Sequence, residues 1–348
     1  MPHTLALSLP FKGAQFSRTT IERRALRPDD VRIDIRFSGI CHTDLHFGHD
    51  DWGGTFFPLV PGHEIAGVVA EVGETVTRFK AGDRVGVGCM VNSCGKCGPC
   101  RSGEEQYCAD GFVKTYSARD HDGTVTLGGY SQSVVVSEHF VLRIPDALEL
   151  DSAAPLLCAG VTVYSPLRRW QAGSGKKVAV LGMGGLGHLG VKIAAAMGAE
   201  VSLLGHSPDK EDDALRFGAA RFVDTRNPDV LTGLAGHFDL IVNTVPARLE
   251  LDTYLGLLDV GGTLVNVGAP GDPVASYNVF SLLGAGRSIA GSSIGGIRET
   301  QEMLDFCAGH GIAAEIERIS ADQVAEAWEN MPDVRYRYVI DVATLASD

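Results

Sequence analysis

No stretch of this chain is apolar for the length a membrane-spanning helix needs, so insertion is not expected. The amino end, "MPHTLALSLPF", has no basic region, and Pro10 breaks its short apolar run, so an export signal is not expected either. The expectation is a cytoplasmic protein. Internal repeats, low-complexity tracts and long runs of like charge are also missing. Cations are scarce: 30 Lys and Arg stand against 43 Asp and Glu, a formal net charge of −13. The overall field repels polyphosphate, which argues against a nucleic-acid partner. It leaves room for a small anionic cofactor held by a local site.

What is present suffices for two domains. A chain of 348 residues, 45% hydrophobic, can bury a core in each. Residues 1–150 read as mostly β: alternating runs such as "VRIDIRF" (31–37) and "YSQSVVV" (130–136) are separated by Gly, Pro and Asp turns. Near residue 150 the pattern changes. "KKVAVLGMGGLGHLGVKIAAAMGAEVSLLG" reads as strand, glycine turn, helix, strand. Further strands are predicted at "RFVDT" (221–225), "FDLIVNTV" (238–245), "TLVNVGA" (263–269) and "SIAGSS" (288–293), with a helical pattern at "ELDTYLGLLDVGG" (250–262). Such alternation predicts an α/β fold with a parallel, doubly wound sheet. A helix near 298–309 and a last strand near "RYVIDV" complete the reading.

Cysteine is concentrated. "VNSCGKCGPCRSGEEQYC" (91–108) places Cys94, Cys97, Cys100 and Cys108 at C-x2-C-x2-C-x7-C. Gly95, Gly98 and Pro99 permit the tight turns that bring four thiols to one point. Four thiolates close a tetrahedral zinc shell. An iron–sulfur run of the short ferredoxin type ends C-x3-C-P, whereas the last gap here is seven and no proline follows Cys108. Disulfides are the third reading. Spacing and a reducing compartment together favour zinc, and a closed shell makes its role structural.

A second set is dispersed. "GICHTDLH" (39–46), "VPGHEIAG" (60–67) and "APLLCAG" (154–160) offer Cys41, His63 and Cys158. Singly, each has an ordinary reading: Cys158 as a buried apolar cysteine, His63 as a turn residue. Spacing alone does not bring the three together.

"GMGGLG" (182–187) matches G-x-G-x-x-G between a predicted strand and a predicted helix, the context in which the motif binds a dinucleotide. Gly182, Met183, Gly184, Gly185, Leu186 and Gly187 would bring backbone N–H groups to a pyrophosphate at the helix amino end. An NAD site usually carries an acid at the end of the second strand. Here Gly205 stands there, followed by His206, Ser207 and Lys210. A neutral end followed by a hydroxyl and a cation suits a 2′-phosphate, so NADP is expected, with Asp209 and Glu211 nearby as the opposing charges.

These segments, with "WGGTFFPLVPGHEIAGVV", "GGYSQSVVV", "APLLCAGVTVYSPL" and "GSSIGGIRETQEMLDFC", run nearly the whole length. On them the chain resembles the zinc-dependent medium-chain alcohol dehydrogenases, most of all the cinnamyl alcohol dehydrogenase branch with its bacterial broad-range aldehyde reductases. The strand end "GHSPDKEDD" is its least family-like region. The resemblance implies a GroES-like β catalytic domain (1–152 and 295–348), an inserted Rossmann domain (153–294), an active site in the cleft between them, and a homodimer. It implies two zinc ions per subunit. Cys41, His63 and Cys158 are the catalytic ligands, with Glu64 able to approach the metal, and the Cys94 loop holds the structural ion. It gives Thr43 and His46 a proton relay and Asp44 the orientation of His63. Trp52 would line the substrate cleft. Thr162, Val245, Val267, Ser293, Ile294 and Arg337 would lie near the cofactor. The implied reaction is reversible hydride transfer between NADP(H) and a primary alcohol or aldehyde. An NAD-dependent polyol dehydrogenase and a non-catalytic dinucleotide sensor are the rival readings. The missing strand-end acid opposes the first, and the complete ligand and relay set opposes the second.

Overall fold

Inward Val31, Ile33 and Ile35 alternate with outward Arg32, Asp34 and Arg36, which makes Asp30–Gly39 a half-buried strand at the centre of a sheet. In the computed structural model, which describes residues 3–270, 275–331 and 334–346, this strand pairs antiparallel with Ile65–Val72 on one side. On the other it pairs with Ser133–Ser137 and Tyr338–Asp341. Arg84–Val87 and Leu142–Arg143 extend the sheet beyond Ile65–Val72, and Glu317–Ile319 extends it beyond Tyr338–Asp341. Register shifts at Arg32/Ile33 and Ile35/Phe37 bend the central strand and re-aim its end toward Ile40 and Cys41.

The apolar runs "KVAVL", "EVSLLG" and "FDLIVN" lack that alternation because both faces of their sheet are covered. They form a six-stranded, all-parallel sheet in the order Arg221–Asp224, Glu200–Gly205, Lys177–Leu181, Phe238–Asn243, Leu258–Asn266, Ser288–Gly291. Counted along the chain this is 3-2-1-4-5-6, the doubly wound order, whose switch point lies beside the first strand. Leu181, Leu204, Phe238, Ile241, Leu255 and Leu264 form part of its core; each such side chain contributes about 1.5–3 kcal/mol on burial.

Contacts divide the chain into one unit of Met1–Val161 with Gly295–Asp348 and a second of Thr162–Ile294. The first junction falls inside the helix Ala159–Arg169, and the second at Ile294, which takes a positive φ of 37°. The helical pattern at 250–262 holds only for Leu251–Gly256. Residues 258–262 belong to the strand Leu258–Asn266, which starts opposite Phe238, bulges, and resumes its pairing at Thr263 opposite Leu240. Gly261 (φ 75°) and Gly262 make the bulge possible: a Cβ on Gly262 would stand 2.8 Å from the Phe238 carbonyl oxygen. Among the described residues no helix is long and apolar enough to cross a membrane.

Candidate metal centre and active site

Three separate pieces of the first unit bring the dispersed donors together. The bent strand ends at Gly39, and Cys41 caps the following helix, His42–Gly48. His63 and Glu64 precede the strand Ile65–Val72. Cys158 ends the short helix Ala154–Leu157. Ligand atoms of Cys41, His63, Glu64 and Cys158 all lie within 4.8 Å of one another, and all four residues are buried. His63 turns Nε2 to the Cys158 sulfur at 3.2 Å and Nδ1 to Asp44 Oδ1 at 3.4 Å.

Asp44, itself fully buried, organises this point. Its carboxylate accepts the N–H of Cys41 (2.8 Å), the N–H of Gly62 (3.2 Å) and the Tyr130 hydroxyl (3.3 Å). The Trp328 indole in turn donates to the Tyr130 oxygen at 3.4 Å. The Tyr116 ring stacks on His63 with centroids 5.7 Å apart. One carboxylate therefore fixes both backbone segments and the orientation of the imidazole.

Glu64 is the unsettled member. It is fully buried, and neither carboxylate oxygen makes a hydrogen bond. Its nearest cation is Arg337, whose Nη2 lies 3.3 Å from Oε1. Burial pushes the Glu64 carboxyl up to about 8 against the pull of Arg337. Arg337 is buried too, with Nη1 donating to the Ile40 carbonyl at 3.1 Å. A side chain on Gly39 would put its Cβ 2.0 Å from Glu64 Oε2, so the pocket for this carboxylate needs glycine there. Contact between Cys41 and Cys158 holds the first thiol well below its ordinary range and the second well above it. Burial opposes a charged His63, but neighbouring Cys89 and Asp44 outweigh it and hold the imidazole above its usual range. Two soft thiols, an imidazole and a carboxylate without hydrogen bonds, converging out of water, fit a bound Zn2+.

A second set, of four thiols, lies in the loop 94–108, again with donor atoms within 4.8 Å of one another. Cys97 caps the helix Gly98–Ser102, and Gly95 (φ 66°) and Gly103 (φ 77°) make the turns. Backbone N–H groups of Cys94 and Ala109 point at the sulfurs of Cys108 and Cys97, at 3.4 and 3.5 Å. The bond from Ala109 leads in lowering the Cys97 thiol to about 6, while burial raises Cys100 to about 12. None of the eight cysteines is in a disulfide, and this donor set also fits zinc. The loop is seated on the helix Ile297–His310. Glu105 Oε2 accepts the Ile297 N–H at 3.0 Å, His139 Nε2 meets Oε1 at 2.8 Å, and Arg298 donates to the Ser102 carbonyl at 2.8 Å.

Thr43 and His46 lie on the helix capped by Cys41. His46 Nδ1 is 2.7 Å from Asp51 Oδ2. Trp52 is 42% exposed, and its ring packs on His46 (4.6 Å) and Phe47 (5.6 Å). Sequence reasoning missed Asp51 and Cys89. Asp51 shares no periodicity with His46, and Cys89 is an isolated cysteine in a strand-like run.

In the second unit the glycine turn follows the first strand. Gly182 takes φ 88°, and its N–H bonds to the Leu204 carbonyl. A Cβ on Gly187 would sit 1.9 Å from the Gly182 carbonyl oxygen, whereas one on Gly184 would meet nothing within 4 Å. The helix Gly187–Ala196 begins there with an open amino end, a cradle that fits a pyrophosphate. Val245, Val267 and Ser293 follow the carboxyl ends of the fourth, fifth and sixth strands, with Ile294 at the junction. Thr162 is buried with its hydroxyl unpartnered. Gly205 ends the second strand, and Lys210 Nζ bonds back to the Met183 carbonyl at 2.9 Å, which brings it to the glycine turn. His206 and Ser207 follow Gly205. Asp224, the register partner of Gly205, holds Arg226 in a two-pronged ion pair.

The sequence profile of the alcohol dehydrogenase GroES-like domain matches residues 27–146, and that of the zinc-binding dehydrogenases matches residues 185–309. A probable formaldehyde dehydrogenase of Bacillus subtilis is 59% identical over 344 residues, 98% of each chain. The chain belongs to the zinc-dependent medium-chain alcohol dehydrogenases. An NADP-dependent alcohol dehydrogenase of Mycolicibacterium smegmatis is 58% identical over 95% of each chain. The solved structure of a cinnamyl alcohol dehydrogenase from Sorghum bicolor superposes with a TM-score of 0.95, at 43% identity over 98% of each chain. The GroES-like and Rossmann folds expected from the sequence are those of this family.

Proposed function

We propose that this dehydrogenase transfers hydride reversibly between NADP(H) and a primary aromatic, allylic or aliphatic alcohol or aldehyde. One observation carries the reading: Cys41, His63, Cys158 and Glu64 converge in a buried site where the carboxylate has no hydrogen bond, and the helix that Cys41 caps carries His46, paired with Asp51. Cys41, His63 and Cys158, with Glu64 in reach, would hold a zinc ion that would supply a Lewis acid for the substrate oxygen, and a bound NADP(H) would supply the hydride chemistry.

The chain's own residues do the rest. Asp44 holds His63 in one orientation and ties Cys41 and Gly62 to it. Thr43 offers a hydroxyl for the proton leaving an alcohol. Asp51 holds Nδ1 of His46, so Nε2 is left to take that proton and pass it on, as a general base and then a general acid. Trp52 lends an apolar wall to the substrate. Gly182, Met183, Gly184, Gly185, Leu186 and Gly187 cradle the pyrophosphate. His206, Ser207 and Lys210, beside a strand end with no acid, receive the 2′-phosphate. Thr162, Val245, Val267, Ser293, Ile294 and Arg337 are assigned to the remainder of the cofactor. The Cys94, Cys97, Cys100 and Cys108 loop holds the structural zinc.

The same reading makes the protein a cytoplasmic homodimer. None of its eight cysteines is in a disulfide. Among the described residues no strand pairs with the outer edge of the sixth strand of the parallel sheet, and the second unit exposes Val260, Tyr277, Val279, Phe280 and Leu283. The test is the initial rate of NADPH oxidation with cinnamaldehyde, benzaldehyde and butanal, run beside NADH, with and without a zinc chelator. NADPH-dependent turnover that the chelator abolishes is expected. Turnover only with NADH, or turnover indifferent to metal removal in protein shown to have lost its zinc, would overturn the proposal.

A further inference from the structure

The second strand of the parallel sheet ends in glycine rather than an acid, but a carboxylate stands one strand away. Gly205, the last residue of Glu200–Gly205, is the register partner of Asp224, the last residue of Arg221–Asp224. Neighbouring strands lie about 4.8 Å apart, and partnered residues turn their side chains to the same face. The Thr225 N–H bonds to the Gly205 carbonyl at 2.9 Å, so the pairing holds to the strand end. Phe222, two residues before Asp224 and on its face, covers the place a side chain at 205 would take: a Cβ on Gly205 would stand 3.0 Å from a carbon of that ring. Asp224 is therefore the acid beside this strand end, and its charge is covered. The segment Asp224–Thr225–Arg226 closes a turn in which the Asp224 carboxylate accepts the Arg226 N–H at 3.0 Å, Nε at 2.9 Å and Nη2 at 2.7 Å. These bonds hold the Asp224 carboxyl down to about 2, so it is ionised at neutral pH. Among the described residues neither group has another partner of opposite charge within 4 Å.

We infer that Asp224 and Arg226 set the choice between NADP(H) and NAD(H), Arg226 masking a carboxylate that would otherwise repel the 2′-phosphate. The inference rests on the reading of His206, Ser207 and Lys210 as the 2′-phosphate site. With Arg226 in place the pair is neutral, and the phosphate finds no bare negative charge beside Gly205. Without Arg226, the Asp224 carboxylate faces the phosphate directly, and the same carboxylate is open to a hydrogen bond from the free 2′-hydroxyl of NAD(H). Selectivity is the difference of the two affinities, and it falls from both sides. Arg226 acts here through Asp224 rather than as a phosphate ligand, because its Nε and Nη2 are committed to the carboxylate.

The test is a fluorescence titration of the zinc-loaded protein with NADPH and with NADH, for the wild type, R226Q, D224N and the double variant. It is run at low ionic strength, because salt screens exposed charges. The two side chains are 59% and 32% exposed, so the variants should keep the wild-type melting temperature. R226Q should weaken NADPH binding about tenfold and leave NADH binding unchanged or tighter. D224N, which leaves the cation unopposed, should bind NADPH at least as tightly as the wild type. The double variant should recover NADPH binding to within about threefold of the wild type, because the charge to be masked is gone. An R226Q protein with unchanged NADPH binding would overturn the proposal. So would a double variant as weak for NADPH as R226Q alone, which would make Arg226 a direct phosphate ligand. A wild type that binds NADH more tightly than NADPH would overturn the 2′-phosphate reading itself, and the inference with it.

Discussion

Replacing Glu105 with alanine isolates what seats the cysteine loop. Its carboxylate is almost fully buried, accepts the Ile297 N–H at 3.0 Å and meets His139 at 2.8 Å. Ile297 opens a fourteen-residue helix, so that N–H has no partner within the helix. Leaving it buried and unmet costs about 1–3 kcal/mol. Losing a negative charge at the positive end of the helix costs a further 0.3–1 kcal/mol or so. The two losses span about 1–4 kcal/mol; the middle of that range, about 2–3 kcal/mol, at about 2–4 °C per kcal/mol for a unit of this size lowers the melting temperature of E105A by about 4–12 °C. Calorimetry on the zinc-loaded protein reads this directly. Acidity gives a second check. Burial works to raise the Glu105 carboxyl, but His139 and the Ile297 N–H outweigh it and hold the group below its ordinary 4.5. A depressed carboxyl stabilises the fold fully above its unfolded pKa and loses that contribution as pH falls through the folded value. The gap between wild type and E105A should therefore be full at neutral pH and close on the acid side of 4.5. Equal melting temperatures at neutral pH would refute the reasoning, as would a gap that widens in acid.

D44N keeps the size of the hub but turns one acceptor into a donor facing N–H groups and His63. Zinc affinity, measured by chelator competition, should fall about 10–100-fold, the usual cost of losing a partner that orients a ligand. G187A pushes a methyl toward the Gly182 carbonyl, 1.9 Å from the ideal Cβ position. The resulting overpacking, on the order of 1–3 kcal/mol, should weaken NADPH binding about tenfold or more, read by fluorescence titration, with zinc content unchanged. S207D sets a carboxylate against the 2′-phosphate. It should raise KM for NADPH at least about tenfold and leave KM for NADH little changed, whereas equal shifts for both cofactors would remove Ser207 from the phosphate site.

Local patterns were readable in the sequence. The cysteine loop spans only residues 94–108, so its spacing alone announces a metal site, and the glycine turn is recognisable because strand and helix patterns flank it. The catalytic donors are another matter. His63 and Cys158 are 95 positions apart, and no periodicity links them; only the family resemblance brought them together, and it is the bent strand Asp30–Gly39 that positions Cys41 to meet them. Asp51 and Cys89 carried no signal, because a single acidic or thiol side chain gains meaning only from what it touches. The misreading at 258–262 has the same origin. "LLDV" satisfies a helical pattern until the bulge at Gly261 and Gly262 lets those residues pair with the neighbouring strand.

The first unit is assembled from the two ends of the chain, and this sets an order on synthesis. The second unit, Thr162–Ile294, is contiguous and can fold while the ribosome is still at work. The metal cluster has no such independence. The strand Tyr338–Asp341 pairs with the end of Asp30–Gly39, and Arg337 just before it supplies the cation beside Glu64 and the donor for the Ile40 carbonyl. Until those last residues emerge, the edge next to Cys41 is unpaired and the Glu64 carboxylate has no counter-charge. A nascent chain shorter than about 340 residues thus presents an open sheet edge and an unfinished metal cluster. Premature termination near the carboxyl end should yield a well-formed nucleotide-binding unit attached to a sticky, metal-poor one.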